Sequence, residues 1–469
     1  MYRITLLLTL ILALIWPALS VAATTSTLYI NATLIHPKDN KIVNNGYLLV
    51  RDGRFVSVGQ NKPTLNGQHQ IVDLQGKYVT AGFIDTHAHI SLGEVSYQVE
   101  GQKVTFDAAN NLETGRWNGE RLLEHGITTI RNPGGDTEAN LAYKKAQQRG
   151  EVKGPKAFVA GAIINTQPFD GLVKEVTTDE TIHHVIREQA ELGVDYIKLY
   201  TGLSQEQIAV AVDSAETFQL PVIAHLEDIS WTTGAELGID HLVHAMPVSP
   251  DLLEHNQRQH YLQNRRPGSF SWFEWYQQVS LDSQQISQLA QTLTATDTAV
   301  DPTLIVFYNT FFADQPKVTA HKELELVHPD LLNNWRTFYH FNIGWQAEDY
   351  QQAQQVWPKV LAFVKLLHDR GVTLSIGTDL GNPWVIPGLS YHQEMALLAD
   401  AGLTPMQILA MATHKGAEVL GQSHQLGRLA PGLVADFVVF GSDPSLSVEN
   451  TRDIAMVIQA GKPVWQQQK

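Results

Sequence analysis

Two histidines separated by one residue, His87 and His89, close the apolar run that begins at Val79 and passes through Gly82-Phe83-Ile84-Asp85. In an extended strand, residues two apart share a face. The spacing therefore sets two imidazoles side by side at a strand end, which is half of a metal site. Asp85 has the same parity and lies one layer deeper, where a carboxylate can steady a ligating ring.

Other apolar runs end or centre on residues of the same kind. Lys198 stands inside Tyr196-Ile197-Lys198-Leu199, His225 ends Val222-Ile223-Ala224-His225, and Asp379 ends Ser375-Ile376-Gly377-Thr378-Asp379. A lysine in a buried strand is costly unless its charge is matched or removed. Desolvation lowers its pKa, so it can react as an amine and take up CO2 as a carbamate, an anionic ligand able to bridge two cations. In His241-Leu242-Val243-His244 the two histidines are three apart and face opposite ways; His244, nearer the strand's C-terminal end, is the better ligand. Taken singly, Lys198 reads as a salt-bridged or snorkelling side chain and Asp379 as a helix cap.

The elements that must position these groups come next. Eight compact apolar segments stand at Val79 to His87, Thr128 to Arg131, Ala157 to Ile164, Tyr196 to Leu199, Val222 to Leu226, Leu242 to Ala245, Val300 to Val306 and Thr373 to Gly377. Helix-like stretches such as Glu180 to Leu192 and Gln205 to Phe218 separate most of them. This alternation predicts an α/β fold, a (β/α)8 TIM barrel rather than a doubly wound sheet, with chemistry at the C-terminal ends of the strands. Two spacings, Pro250 to Thr298 and Tyr308 to Trp357, are too long for simple crossovers. They are rich in aromatic residues and read as helical excursions over the pocket. Short β-like runs at both chain ends, Thr27 to Leu74 and Gly427 to Ile458, predict one small β-sandwich built from both termini. The expected division is residues 1–23 signal peptide, 24–78 and 425–469 sandwich, and 79–424 catalytic barrel.

Composition narrows the partners. Of 469 residues, 43% are hydrophobic and 17% charged, which excludes intrinsic disorder. A net charge of -15 disfavours nucleic acid, and the absence of cysteine removes disulfides and thiolate ligands. Met1-Tyr2-Arg3, the apolar stretch Ile4 to Leu19 and the small residues Ser20 to Ala23 form a cleavable signal peptide. The expected protein is exported, periplasmic or secreted, with no stable membrane span after cleavage. An uncleaved anchor is the alternative.

With Gly82 to His89, Gly126 to Arg131, Ile197-Lys198, Gly377-Thr378-Asp379, Leu403 to Leu409 and Gly427 to Asp436 together, the sequence resembles the amidohydrolase superfamily, in particular its imidazolonepropionase-like and prolidase-like branch. The resemblance implies that His87, His89 and Asp379 bind one divalent metal. His225 and His244 would bind a second, carboxylated Lys198 would bridge them, and Asp379 would serve as catalytic base and acid. Two Zn2+ suit the oxygen and nitrogen ligands, with Mn, Co or Fe as alternatives. Ala245 departs from the glycine that relatives often carry, and His241 adds an imidazole beside His244. The implied activity is hydrolysis of C–N bonds in small substrates such as dipeptides or N-acyl amino acids. An imidazolonepropionase-like cyclic-amide hydrolase is the alternative enzyme, and a non-catalytic metal- or solute-binding protein the alternative of another class. Arg265 and Arg266, in the first excursion, could clamp a substrate carboxylate. Tyr200, which shares the Lys198 strand face, could reach the substrate carbonyl. A homo-oligomer is compatible with the sequence.

Overall fold

The computed structural model describes residues 26–64, 69–100 and 103–467; the expected signal peptide, 1–23, lies outside the described residues. The architecture is α/β. Phe83–Asp85, Ile127–Asn132 and Lys156–Val159 form one parallel sheet, with Ile127–Asn132 in the middle. Ile163–Asn165, Ile197–Leu199, Val222–Ala224, His241–Val243 and Ala299–Asp301 form a second parallel sheet in chain order, with Val173–Glu175 outside Ile163–Asn165. Single parallel bridges link Ala160 to Tyr196, Val300 to Leu374 and Ala88 to Leu380, and the Thr86 N–H donates to the Ile376 carbonyl at 2.8 Å. Val222–Ala224 is buried at every position, which explains why its sequence is apolar without alternation; Ile197–Leu199 is equally buried and carries Lys198 at its centre.

The helices between strands start where polar side chains satisfy free backbone N–H groups. Asn111 accepts from the Thr114 N–H ahead of Leu112–Glu124, and Asp136 from the Ala139 N–H ahead of Thr137–Gln148. Thr178 and Ser204 form capping boxes ahead of Asp179–Leu192 and Gln205–Thr217. Both long spacings are helical. The first contains His255–Asn264, Phe270–Gln278 and Gln284–Ala295; the second contains Pro329–Thr337 and the start of Ala347–Asp369. Among the described residues no helix is long and apolar enough to cross a membrane.

An eight-stranded sheet draws on both chain ends. Its order is Lys462–Gln466, Ile454–Gln459, Phe437–Phe440, Tyr78–Ala81, Ser26–His36, Lys41–Arg51 and Arg54–Gln60, with His69–Asp73 also paired to Ser26–His36.

Several expected strands divide differently. The segment Val79 to His87 is cut at Gly82: Tyr78–Ala81 pairs with Phe437–Phe440 in the end sheet, and Phe83–Asp85 enters the parallel sheet. A Cβ at Gly82 would lie 2.2 Å from Thr128 Oγ1, so only glycine fits at this transfer. The expected division between residues 78 and 79 therefore falls inside a strand of the end sheet. Ala157 to Ile164 is two strands, Lys156–Val159 and Ile163–Asn165. Val300 to Val306 is strand only through Asp301, after which Pro302 and Thr303 turn the chain into helix Leu304–Phe311. The buried Glu394 carboxylate accepts the Leu304 and Ile305 N–H groups at 2.9 and 2.7 Å, a cap supplied from 90 residues away. Thr373 to Gly377 makes single bridges rather than a ladder, and Gly427 to Leu429 contains no strand. A hairpin of Leu92–Glu100 and Lys103–Asn110 was not anticipated.

Candidate metal centre

His87 and His89 follow strand Phe83–Asp85, Lys198 lies within Ile197–Leu199, His225 and His244 follow Val222–Ala224 and His241–Val243, and Asp379 comes from the segment bridged to them. His87, His89, Lys198, His225, His244 and Asp379 line one cavity of about 380 Å3. The His87 and His244 rings are 4.9 Å apart between centroids, and His225 and His244 4.5 Å. One ligand atom from each of His87, His244 and Asp379 falls within 4.8 Å of the others. Asp379 Oδ1 lies 3.2 Å from His87 Nε2 and 3.4 Å from His89 Nε2.

The outer nitrogens of three rings are fixed by neighbours. His87 Nδ1 meets Asp301 Oδ1 at 3.0 Å, and Arg131 Nη2 donates to Asp301 Oδ2 at 2.7 Å. His89 Nδ1 donates to the Gly134 carbonyl at 2.7 Å, and His244 Nδ1 contacts Thr303 Oγ1 at 2.7 Å. This is the outer-ligand pattern that fixes a metal-binding tautomer. Asp85 lies beneath the pair, accepting the His87 N–H at 3.0 Å and the Thr378 N–H and hydroxyl at 3.1 and 2.7 Å. It thus ties the His87 segment to the Asp379 segment, the supporting role its parity implied. His244 and Asp379 both hold left-handed backbone, at φ of 71° and 59°. Such strain in non-glycine residues persists only where surrounding contacts impose it.

Electrostatics favour neutral His225 and His244 and an ionised acid, whereas His87, although burial lowers it, is held above the ordinary histidine range by the Asp301 and Asp379 charges. Burial, then the positive charge of Lys198, pushes His225 down to about 3. Burial, then the His225 charge, holds His244 well below the ordinary histidine range. Burial raises Asp379, but the nearby histidines outweigh it and leave the carboxyl well below its usual value. Burial lowers Lys198 to about 7 against partial opposition from Asp301 and Asp379, so an uncharged amine is abundant near neutral pH.

These residues suit a cation. With His89 Nδ1 bound to the Gly134 carbonyl, its Nε2 is the ring atom turned to Asp379 Oδ1. His225 is buried with neither ring nitrogen hydrogen-bonded. A cation between such groups would meet an anionic oxygen and ring nitrogens that have few other partners.

Not every expected site residue is in this place. Tyr200 lines the cavity with its ring 4.9 Å from His225. His241 points the other way, buried beside Tyr196 with Nδ1 unpaired, so His244 is the histidine of that strand in the cavity. Arg265 and Arg266 are elsewhere. Arg265 pairs with Asp228 at 2.6 Å, while Arg266 pairs with Glu274 at 2.5 Å and Asp349 at 2.8 Å, all around a separate cleft. Local carboxylates hold both arginines away from the six ligands. Asp301 and Arg131 were overlooked as supports, although Asp301 ends an apolar run, Ala299-Val300-Asp301, as Asp379 does. Thr303 carried no signal in the sequence. The excursions do reach the cavity, through Trp272 from the first and Tyr339 and Phe341 from the second.

A sequence model of the Amidohydrolase family matches residues 78–247 and 347–464. The chain is 23% identical to an imidazolonepropionase of Klebsiella pneumoniae subsp. pneumoniae over 467 aligned positions, covering 92% of each chain. Among solved structures, a putative prolidase from Bifidobacterium longum superposes with a TM-score of 0.68 at 21% identity, covering 94% of this chain and 95% of its own. An A. niger ochratoxinase superposes with a TM-score of 0.66 at 16% identity, covering 94% and 95%. At these identities the two superpositions establish a shared fold.

Proposed function

Because the chain belongs to the amidohydrolase family, and with it to the enzymes that hydrolyse carbon–nitrogen bonds, we propose that it cleaves small amides with two divalent cations held by six residues. His87, His89 and Asp379 would hold one and His225 and His244 the other, with a carbamate on Lys198 supplying a further anionic ligand. The observation that carries the proposal is the set of buried imidazoles gathered around Asp379, with both His225 ring nitrogens lacking a hydrogen-bond partner. Zinc suits these ligands, and manganese, cobalt or iron are compatible. The carbamate forms when the uncharged Lys198 amine adds to CO2 and loses one proton, creating an N–C bond and an anionic oxygen pair.

When bound, the cations would acidify a shared water and polarise the scissile carbonyl. Asp379, ionised and buried, accepts the proton of the attacking water and then delivers it to the leaving nitrogen. Tyr200, whose ring lies 4.9 Å from that of His225, would donate its hydroxyl to the carbonyl oxygen. Asp301 and Gly134 keep the His87 and His89 rings in orientation through both steps.

The single bridges at Ala160, Val300 and Ala88 support reading the parallel strands as a (β/α)8 barrel, with the end sheet as a small accessory domain. Likeness to an imidazolonepropionase over nearly the whole chain favours one second reading, hydrolysis of a cyclic amide. Export is part of the proposal and rests on residues 1–23; N-terminal sequencing of protein recovered from periplasm or medium tests it. The activity is tested by elemental analysis of the purified protein and turnover of linear and cyclic amides. Close to two metal equivalents with amide hydrolysis is expected. A fully loaded protein that turns over neither class would leave a binding protein instead.

A further inference from the structure

Beyond the six ligands, the cavity wall has one consistent chemistry. Apolar side chains predominate in it, among them Phe169, Leu172, Trp272, Phe307 and Phe341. Its polar members, among them Asn165, Tyr200 and Asn382, are uncharged near neutral pH, and the Tyr339 hydroxyl donates to Asn382 Oδ1 at 2.9 Å. Among the described residues, Lys198 is the lone lysine or arginine of the lining and Asp379 the lone carboxylate.

The nearest other charges are already engaged or face elsewhere. Glu227 Oε1 lies 3.7 Å from His225 Nε2, but it accepts from Trp272 Nε1 at 3.5 Å, and the residue opens on the neighbouring cleft with Asp228, Arg265 and Arg266. Asp228 is paired with Arg265, and Arg266 with Glu274 and Asp349. Away from the six ligands, a free carboxylate or ammonium on the substrate would lose its hydration against aromatic carbon, with no opposite charge on that part of the wall to replace it.

We propose that the natural substrates are uncharged amides with bulky apolar groups flanking the scissile bond, in preference to zwitterionic dipeptides and N-acyl amino acids. This rests on the reading of the site as an amide hydrolase. Water adds across the C–N bond, the acyl carbon gains a hydroxyl and the nitrogen gains a hydrogen. The resulting acid and amine both ionise near pH 7, and the wall outside the six ligands offers neither product a counter-charge.

The test uses pairs that differ in one charge. N-phenylacetyl-phenethylamine is compared with N-phenylacetyl-phenylalanine, which adds only a carboxylate. 3-Phenylpropanoyl-phenethylamide is compared with phenylalanyl-phenethylamide, which adds only an amino group. For the metal-loaded enzyme, kcat/KM should be about tenfold or more higher for each neutral member. Equal or higher values for the charged members overturn the proposal and leave the hydrolase reading intact. Calorimetric binding to Asp379→Asn separates the two ideas. Selective binding of the neutral compounds without turnover by the wild type supports the pocket assignment while removing the hydrolase reading. Absence of binding together with absence of turnover overturns the pocket assignment as well.

Discussion

Asp301 Oδ1 and His87 Nδ1 lie 3.0 Å apart, and both side chains are shut off from solvent. The aspartate is not itself among the expected ligands, yet it sets which nitrogen of His87 is offered to the site. Asp301→Asn keeps the shape but weakens the ring's orientation and basicity. Metal affinity should fall about 10- to 100-fold, measured by competition with a chromogenic chelator. Unchanged affinity would assign Asp301 to the buried pairing with Arg131 alone.

Lys198→Met should abolish the carbamate, lower the occupancy of the second cation and remove most activity. Its effect on the metal-free protein has the opposite sign. The folded pKa of Lys198 is about 7 and the ordinary lysine value is 10.5. Between these values the unfolded chain binds the extra proton, so the wild type gains stability as pH rises from 7 toward 10.5, by up to about 1.4 kcal/mol per pH unit. Below pH 7 this contribution is flat and unfavourable. Lys198→Met lacks the slope and should be the more stable protein at pH 7. Thermal melts in chelator and CO2-free buffer at pH 7 and 9 read the difference; parallel pH profiles for the two proteins would refute the buried-amine account.

Asp379→Asn retains an oxygen ligand but cannot accept a proton. Turnover should drop by about 10²–10⁴, while 3-phenylpropanoyl-phenethylamide binding changes little. Near-normal turnover with metal bound would move the base elsewhere.

Glu394→Ala strips the cap from helix Leu304–Phe311, leaving the Leu304 and Ile305 N–H groups buried without acceptors. Each costs roughly 1–3 kcal/mol. Phe307 on that helix walls the cavity, so KM should rise alongside a lower melting temperature. A melting temperature within one degree or so of the wild type would mean the helix start is held by other contacts.

The candidate ligands were legible in the sequence because a polar residue in or just after an apolar strand is conspicuous, and a place nearer the strand's C-terminal end favoured His244 over His241. The carboxylate clamp was misplaced for a related reason. Arg265 and Arg266 are near the site in sequence terms, but Asp228, Glu274 and Asp349, whose pairing no local pattern reveals, draw them to another cleft. The strand after Ala299 was overextended because Pro302, Thr303 and the distant Glu394 turn an apolar run into a helix. The hairpin near Leu92 was missed because its strands begin directly after the histidines and carry no strong turn motif in between.

The transfer at Gly82 has a consequence for biogenesis. Tyr78–Ala81 is made early, but one of its edges is satisfied by Phe437–Phe440, more than 350 residues later. Until the ribosome has released that partner, an apolar strand stands with open hydrogen-bonding groups directly before the first two ligands. Pairing over such a separation is slow and leaves the nascent chain vulnerable to association. The architecture therefore leaves completion of the sheet edge just ahead of His87 and His89 to the last part of the chain to be synthesised.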